Sequence, residues 1–175
     1  MECKRITREN DPFFERVFDL CREAFPREER RDMDQLRRVL KREDYHMNAL
    51  VEGDALLGVL CYWQGDWGIF LEHLATAPQL RNRGLGSYAL GLLRQKGLPV
   101  FLEIEPPVDS LTRRRYGFYC RNGFVMNPFD HIQAQYRPGD PPVHLKILSF
   151  PGPLPEESYR AFLSFMDRYI GWKPA

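Results

Sequence analysis

From Phe14 to Phe25, apolar side chains recur at Phe14, Val17, Phe18, Cys21 and Phe25, the three-and-four spacing of a helix that buries one face. Asp11-Pro12 supplies its start and Pro26 its stop. A second helix is expected over Asp32–Arg42, with Met33, Leu36, Val39 and Leu40 inward, and the Arg, Glu and Asp residues of this region read as a solvated face. A short strand at Arg5–Thr7 precedes both helices. The period then changes. Tyr45–Val51, Ala55–Trp63 and Trp67–Thr76 read as three strands joined by turns at Glu52-Gly53-Asp54 and Gln64-Gly65-Asp66. Leu85, Ala89, Leu92 and Leu93 restore a helical period over Leu85–Gln95, which Gly97 stops. Val100–Glu105 is a strand halted by Pro106-Pro107, Thr112–Asn122 a helix, and Gly123-Phe124 the opening of another strand. Eight of the 14 prolines lie from Pro128 onward, so that stretch is loop-rich. Within it His144–Phe150 still reads as a strand, and Glu156–Ile170 as a helix with Tyr159, Phe162, Leu163, Phe165, Met166 and Tyr169 on a broad apolar face. This order predicts an α/β fold around one central sheet. Neither linker nor internal repeat divides residues 1–175, so a single domain is expected.

Composition narrows the class. The chain has 175 residues, with 25 Lys and Arg against 24 Asp and Glu, a net charge of +1 that announces no partner for nucleic acid. The charged start and the lack of a long apolar run argue against a leader or membrane segment, and a cytoplasmic location is expected. Cys3, Cys21, Cys61 and Cys120 form no CxxC pair; four reduced thiols acting as small apolar residues are expected, with no metal site. The neutral total conceals a local asymmetry. Thr76–Val100 and Ser110–Phe129 each carry four basic residues and no acid.

The first of those basic segments holds Arg81, Asn82, Arg83, Gly84, Leu85, Gly86 and Ser87 between a strand and a helix. A helix start exposes unpaired N–H groups and a partial positive charge, which suits phosphate. Glycines let a ligand approach the backbone and permit positive φ. A ligand bearing several phosphates is therefore expected here. Gly84-Leu85-Gly86-Ser87-Tyr88-Ala89 also matches GxGxxA, but a dinucleotide fold puts its first glycine directly after the strand. Here the strand ends near Thr76, and no Lys-Ser or Lys-Thr follows the glycines as a Walker-type loop requires.

These residues resemble the GNAT acetyltransferase superfamily. Arg81-Asn82-Arg83-Gly84-Leu85-Gly86 matches that family's Q/R-x-x-G-x-G/A loop, Glu72-His73-Leu74-Ala75-Thr76-Ala77-Pro78 is similar to the end of its preceding strand, and Tyr119-Cys120-Arg121-Asn122-Gly123-Phe124 matches its Tyr-x-x-x-Gly-Phe. The resemblance implies a mixed, mostly antiparallel sheet with helices on both faces, its core motifs within 67–126 and Pro-rich strands and a helix over 127–175. It also implies acetyl-coenzyme A as cosubstrate without a metal, and an amine of a small molecule or peptide as acceptor in a monomer or homodimer. Backbone N–H groups from Arg81 to Gly86 would hold the pyrophosphate. The strand at Leu74, Ala75 and Thr76 would splay from its neighbour and pair with the pantetheine arm. The family's Asn after the following strand is replaced by Glu105-Pro106-Pro107.

An amine near pKa 10.4 must lose a proton before it attacks. Glu72 is the expected base, directly or through water, with Glu103 one strand over as the alternative. Tyr119, at the family's position for a general acid, is expected to protonate the departing thiolate. Of the four histidines, His46, His73, His131 and His144 lack metal-ligand spacing, and His73 is expected on the opposite strand face from Glu72. Arg113-Arg114-Arg115 reads as a solvated helix face or a contact to the cofactor's outer phosphate. Phe25–Arg31 and Asn127–Pro142 are candidate walls of the acceptor pocket. A non-catalytic acyl-coenzyme A-binding module of the same fold is the alternative function.

Overall fold

The computed structural model describes residues Met1–Ile170. The chain runs β1 (Glu2–Ile6), α1 (Phe14–Ala24), α2 (Met33–Leu40), β2 (Tyr45–Glu52), β3 (Ala55–Gly65), β4 (Gly68–Thr76), α3 (Leu85–Arg94), β5 (Val100–Ile104), α4 (Ser110–Arg121), β6 (Val125–Met126), β7 (His131–Ile132), β8 (His144–Phe150) and α5 (Glu156–Phe165), which continues as a π-helical turn over Met166–Ile170. Polar caps set two helix starts that apolar spacing leaves vague. Asp32 accepts from the backbone N–H of Gln35 while the Gln35 side chain accepts from Asp32, and Asp109 and Thr112 cap α4 in the same reciprocal way. Hence α4 begins at Ser110, two residues before its first expected position. β6 begins at Val125, just after the expected opening at Gly123-Phe124, and β7 lies in a stretch read as loop.

The strands form one sheet in the order β1-β2-β3-β4-β5-β8-β6, with β7 also on β8. Every neighbouring pair is antiparallel except β4 with β5. Each face buries its own core. On one side α1, α2 and α5 bring Phe14, Val17, Leu36, Val39 and Phe162 against Met47, Trp63, Phe70 and Phe101. On the other, α3 and α4 set Leu90, Leu93 and Tyr119 against Leu60, Leu71 and Leu102. Burying an aromatic or aliphatic side chain contributes about 1.5–3 kcal/mol, so these stripes hold the helices to the sheet.

Two sequence expectations need correction here. Arg31, at the end of the segment expected to wall the acceptor pocket, is instead 5% exposed and lies inside the first core, for reasons given below. The thiols also do not behave alike: all four are free, but Cys3 and Cys120 are exposed, Cys21 is half-buried and Cys61 is buried. Among the described residues no helix is long and apolar enough to cross a membrane.

Candidate active site

β4 and β5 pair only through Ile69–Val100, Phe70–Phe101 and Leu71–Leu102, and then part. The divergence starts at an irregularity in β4. Against β3, His73 is opposite Cys61 and Leu71 is opposite Tyr62, which leaves Glu72 as an extra residue. Such a bulge bends its strand and sharpens the local twist. Beyond it, the β5-facing edge of β4 runs to Thr76 without a strand partner, and a cleft of about 960 Å³ opens in the fork.

One side of the cleft is made of backbone. Asn82 and Gly84 hold left-handed conformations, with φ of 64° and 78°. Gly84 is the N-cap of α3 and gives it no side-chain cap, in contrast to Asp32 on α2 and Asp109 on α4. The first N–H groups of α3 thus meet the cleft without a side-chain acceptor, the arrangement that favours an anion. The two glycines serve different ends. Around Gly84 an added Cβ meets nothing within 4 Å, so the positive φ is what requires glycine there. At Gly86 a Cβ would fall 2.8 Å from the Phe118 ring, so that glycine lets α3 approach α4 rather than a ligand approach the backbone. Arg114 donates to Asn82 Oδ1 at 2.9 Å and ties the loop to α4. Leu74, Ala75, Thr76, Arg81, Asn82, Gly84, Leu85, Gly86 and Ser87 all line the cleft, joined by Arg114, Arg115 and Arg121. Arg83 is exposed, and the residues lining the cleft do not include it.

The other side is made of side chains. Glu72 and Glu103 directly follow the last paired residues, Leu71 and Leu102, on the two diverging strands. Glu72 faces Arg31, with Nη1 to Oε2 at 2.5 Å and both side chains almost wholly buried. Trp63 Nε1–H and Tyr136 O–H donate to the other oxygen at 3.3 and 3.0 Å. The Arg31 guanidinium lies 5.0, 5.4 and 5.5 Å from the rings of Tyr136, Trp63 and Tyr45, which suits its weakly hydrated planar cation. Burial by itself would raise the Glu72 carboxyl, but Arg31, with His73 and Trp63, holds it below the ordinary carboxylate range. Glu72 therefore keeps its charge, and a carboxylate held this way takes up a proton poorly.

His73 corrects the expectation from strand alternation. The bulge puts two consecutive side chains on one face, so His73 Nδ1 stands 3.7 Å from Glu72 Oε2 while Nε2 meets the Glu29 carbonyl at 2.8 Å. Burial lowers its pKa. Glu103 has a different partner. Its Oε1 lies 2.5 Å from His131 Nε2, and His131 Nδ1 lies 2.8 Å from the Tyr159 hydroxyl on α5. Tyr119 lines the cleft from α4. Burial pushes its phenol up to about 12, against a smaller opposing effect of Arg115.

Both expected outer walls reach the cleft, through Phe25 and Glu29 on one segment and Gln133 and Tyr136 on the other. They are clasped together. Gln133 donates to the Glu28 carbonyl, and Arg137 to those of Arg27 and Arg30. Tyr159 escapes sequence reasoning as a site residue, and Arg31, His131 and Tyr136 enter it only as members of the expected walls, since no spacing links these four positions, spread over 129 residues, to Glu72 or Glu103.

The profile of the acetyltransferase (GNAT) family matches residues 10–124. YjbC of Bacillus subtilis strain 168, assigned as an acetyltransferase, is 32% identical over 111 residues, covering 61% of this chain and 55% of YjbC. The match thus spans about half the length of that relative. A protein from Bacteroides thetaiotaomicron, assigned to the GNAT acetyltransferases, superposes with a TM-score of 0.86 at 30% identity over 99% of this chain and 100% of its own. A Bacillus subtilis acetyltransferase solved in complex with CoA shares the fold alone, with a TM-score of 0.58 and 16% identity over 85% of this chain and 96% of that one. With a profile match through most of the chain and a fold shared over nearly its whole length with the Bacteroides protein, this chain belongs to the acetyltransferase (GNAT) family.

Proposed function

We propose that this protein moves the acetyl group of acetyl-coenzyme A to a primary amine of a small molecule or peptide, by direct attack within a ternary complex. The observation that carries this reading is the fork between β4 and β5, with an anion-seeking helix start on one side and buried carboxylates on the other. CoA in the Bacillus subtilis relative of the same fold supports the choice of donor.

Acetyl-coenzyme A supplies an activated thioester. The N–H groups from Arg81 to Gly86 and at Ser87 hold its pyrophosphate, and the free edge at Leu74–Thr76 gives the extended arm backbone partners. Three or four hydrogen bonds to charged oxygens, at about 1.5–3 kcal/mol each, suffice to anchor it. Glu72, fixed as an anion by Arg31, lines the cleft as part of a neutral buried pair and holds the shape of its wall beside the acceptor. Tyr119 keeps its proton at every physiological pH. Full transfer to a thiolate of ordinary pKa, about 8.5, is uphill for so weak an acid, so Tyr119 first donates a hydrogen bond to the sulfur as charge builds there.

The test is thiol release from acetyl-coenzyme A with spermidine, kanamycin and a lysine-containing peptide as acceptors. Tyr119→Phe should lower kcat by about a hundredfold while leaving the KM for acetyl-coenzyme A within about threefold. Tight binding of acetyl-coenzyme A with no thiol release from any amine would instead identify a non-catalytic binding module.

A further inference from the structure

Two carboxylates stand side by side where the strands part, and their partners differ in kind. Glu72 is neutralised by a buried arginine. Glu103, its side chain 12% exposed, is held by His131, whose own side chain is 1% exposed and backed by Tyr159. Building this chain of contacts takes three separate parts of the fold, β5, the two-residue strand β7 and helix α5. β7 itself exists only because His131 and Ile132 pair with Leu145 and His144 on β8. Such an outlay of buried polar groups needs satisfied partners to be stable, and the network satisfies both nitrogens of the imidazole.

Resting on the acetyl-transfer reading above, we propose that Glu103 is the base that takes the proton from the acceptor ammonium, and that His131 is the positioning residue that holds Glu103 turned toward the cleft. Tyr159 donates its O–H to His131 Nδ1, which leaves the imidazole proton on Nε2 to be given to Glu103 Oε1; this tautomer follows from the hydrogen-bond network. One proton moves in the step. An N–H bond of the ammonium breaks, an O–H bond forms on Glu103 Oε2, and the electron pair stays on nitrogen for attack on the thioester carbon. The open cleft then returns the proton to solvent.

The surroundings suit a cationic acceptor. Glu103 interacts with Glu29 on the turn after α1, with His73 on β4, with Tyr136, and with Tyr159 on α5. Glu72 adjoins it at the fork, Asp130 acts on Tyr159, and Glu105 is neutralised by Arg115 of α4. Glu103 thus differs from both Glu72 and Glu105 in having histidine rather than arginine as its hydrogen-bond partner, so a proton taken up by Glu103 leaves no arginine uncompensated.

The experiment is the pH profile of kcat/KM for acetyl transfer to the same three amines by the wild type, Glu103→Gln, His131→Leu and His131→Gln. Glu103→Gln should lose about a hundredfold or more in kcat and its acid limb, while calorimetry shows acetyl-coenzyme A bound within about threefold of wild type. Without the His131 donor Glu103 loses its fixed orientation, so His131→Leu should lower kcat by about tenfold while the KM for acetyl-coenzyme A stays within about threefold. His131→Gln, which keeps an N–H donor, should bring kcat most of the way back. Should His131→Leu not fold, Glu103→Gln and the nitrogen-15 shifts of His131 in the wild type still decide, with Nδ1 expected unprotonated. Transfer by Glu103→Gln at near wild-type rate, a kcat unmoved by His131→Leu, or a proton on Nδ1 at neutral pH would each overturn the assignment while leaving acetyl transfer standing. Acetyl-coenzyme A binding with no transfer by the wild type would sink the transfer reading and this one with it.

Discussion

The two sides of the cleft are built from different materials. The loop side uses the backbone of one continuous run, Leu74 to Ser87, with left-handed turns at Asn82 and Gly84 and an uncapped helix start. The carboxylate side uses side chains from segments far apart: Glu72, Glu103, Arg31, His131, Tyr136 and Tyr159. A backbone site tolerates changes of side chain but fails when φ or close approach is disturbed. A side-chain site fails when one partner of a buried pair is removed. This contrast can be broken by experiment.

The largest effect is expected on the carboxylate side. Glu72→Gln leaves the Arg31 cation buried without its counter-charge, which should cost about 3–5 kcal/mol, or roughly 6–20 °C in Tm. Arg31→Met combined with Glu72→Leu removes both charges and should recover at least half of that loss in a denaturation experiment. If the double variant is no better than the single one, the pair is not what fails. Next comes the loop side. Gly84→Glu sets bulk and negative charge at the uncapped helix start, and calorimetry should show acetyl-coenzyme A binding weakened at least about a hundredfold. Stability should fall by only about 1–2 kcal/mol, the cost of a left-handed backbone in a residue with a Cβ. Unchanged affinity would remove the loop from the cofactor site.

Smaller changes sharpen the distinction. Gly84→Ala should cost about 1 kcal/mol through φ alone, measured as a denaturation midpoint. Gly86→Ala pushes on Phe118 but gains helix propensity, so these partly cancel and the net change should stay within about 1 kcal/mol. Arg83→Ala, exposed and outside the cleft lining, should alter acetyl-coenzyme A affinity by about twofold or less. One further effect lies away from the fork. His46 stacks on Tyr62 at 4.5 Å, and burial, with Arg5 and Lys96, pushes its pKa down to about 4. The unfolded chain, with histidine near 6.5, binds that proton first, so stability is full above about pH 6.5 and declines as pH falls toward 4. His46 is about half exposed, so solvent screening reduces the effect to about 1 kcal/mol. His46→Gln should flatten the Tm profile in that window by this amount. His73→Gln tests the same sign on the carboxylate side, where burial also lowers the histidine.

The same contrast decides what was legible in the residues alone. Arg81–Gly86 is contiguous and its glycine spacing carries the left-handed turn and the helix start, so the loop stands out in the chain. β8 is bounded by prolines and polar residues and matches its expected span of His144–Phe150. The parting of the two strands at Leu74–Thr76 follows from the resemblance, but its cause does not. The bulge at Glu72 depends on which β3 residue faces which β4 residue, and local alternation puts His73 on the wrong face. Arg31 sits in a run of charges that any solvated surface would carry. Its burial depends on Tyr45, Trp63 and Tyr136 meeting around it, a long-range event. His131 lies in a Pro-rich stretch with no period to place it.

The extra residue at Glu72 also makes β4 two half-strands out of phase. Phe70 and Ala75 both face the core shared with α1 and α5, although five positions separate them and an unbroken pleat would set them on opposite faces. A single-residue deletion at His73 would bring the two halves into one phase. The half from Leu74 to Thr76 would keep its faces, with Ala75 still toward that core and Leu74 opposite, and only the bend that parts β4 from β5 would be lost. One codon thus separates a strand that opens a fork from one that would close it.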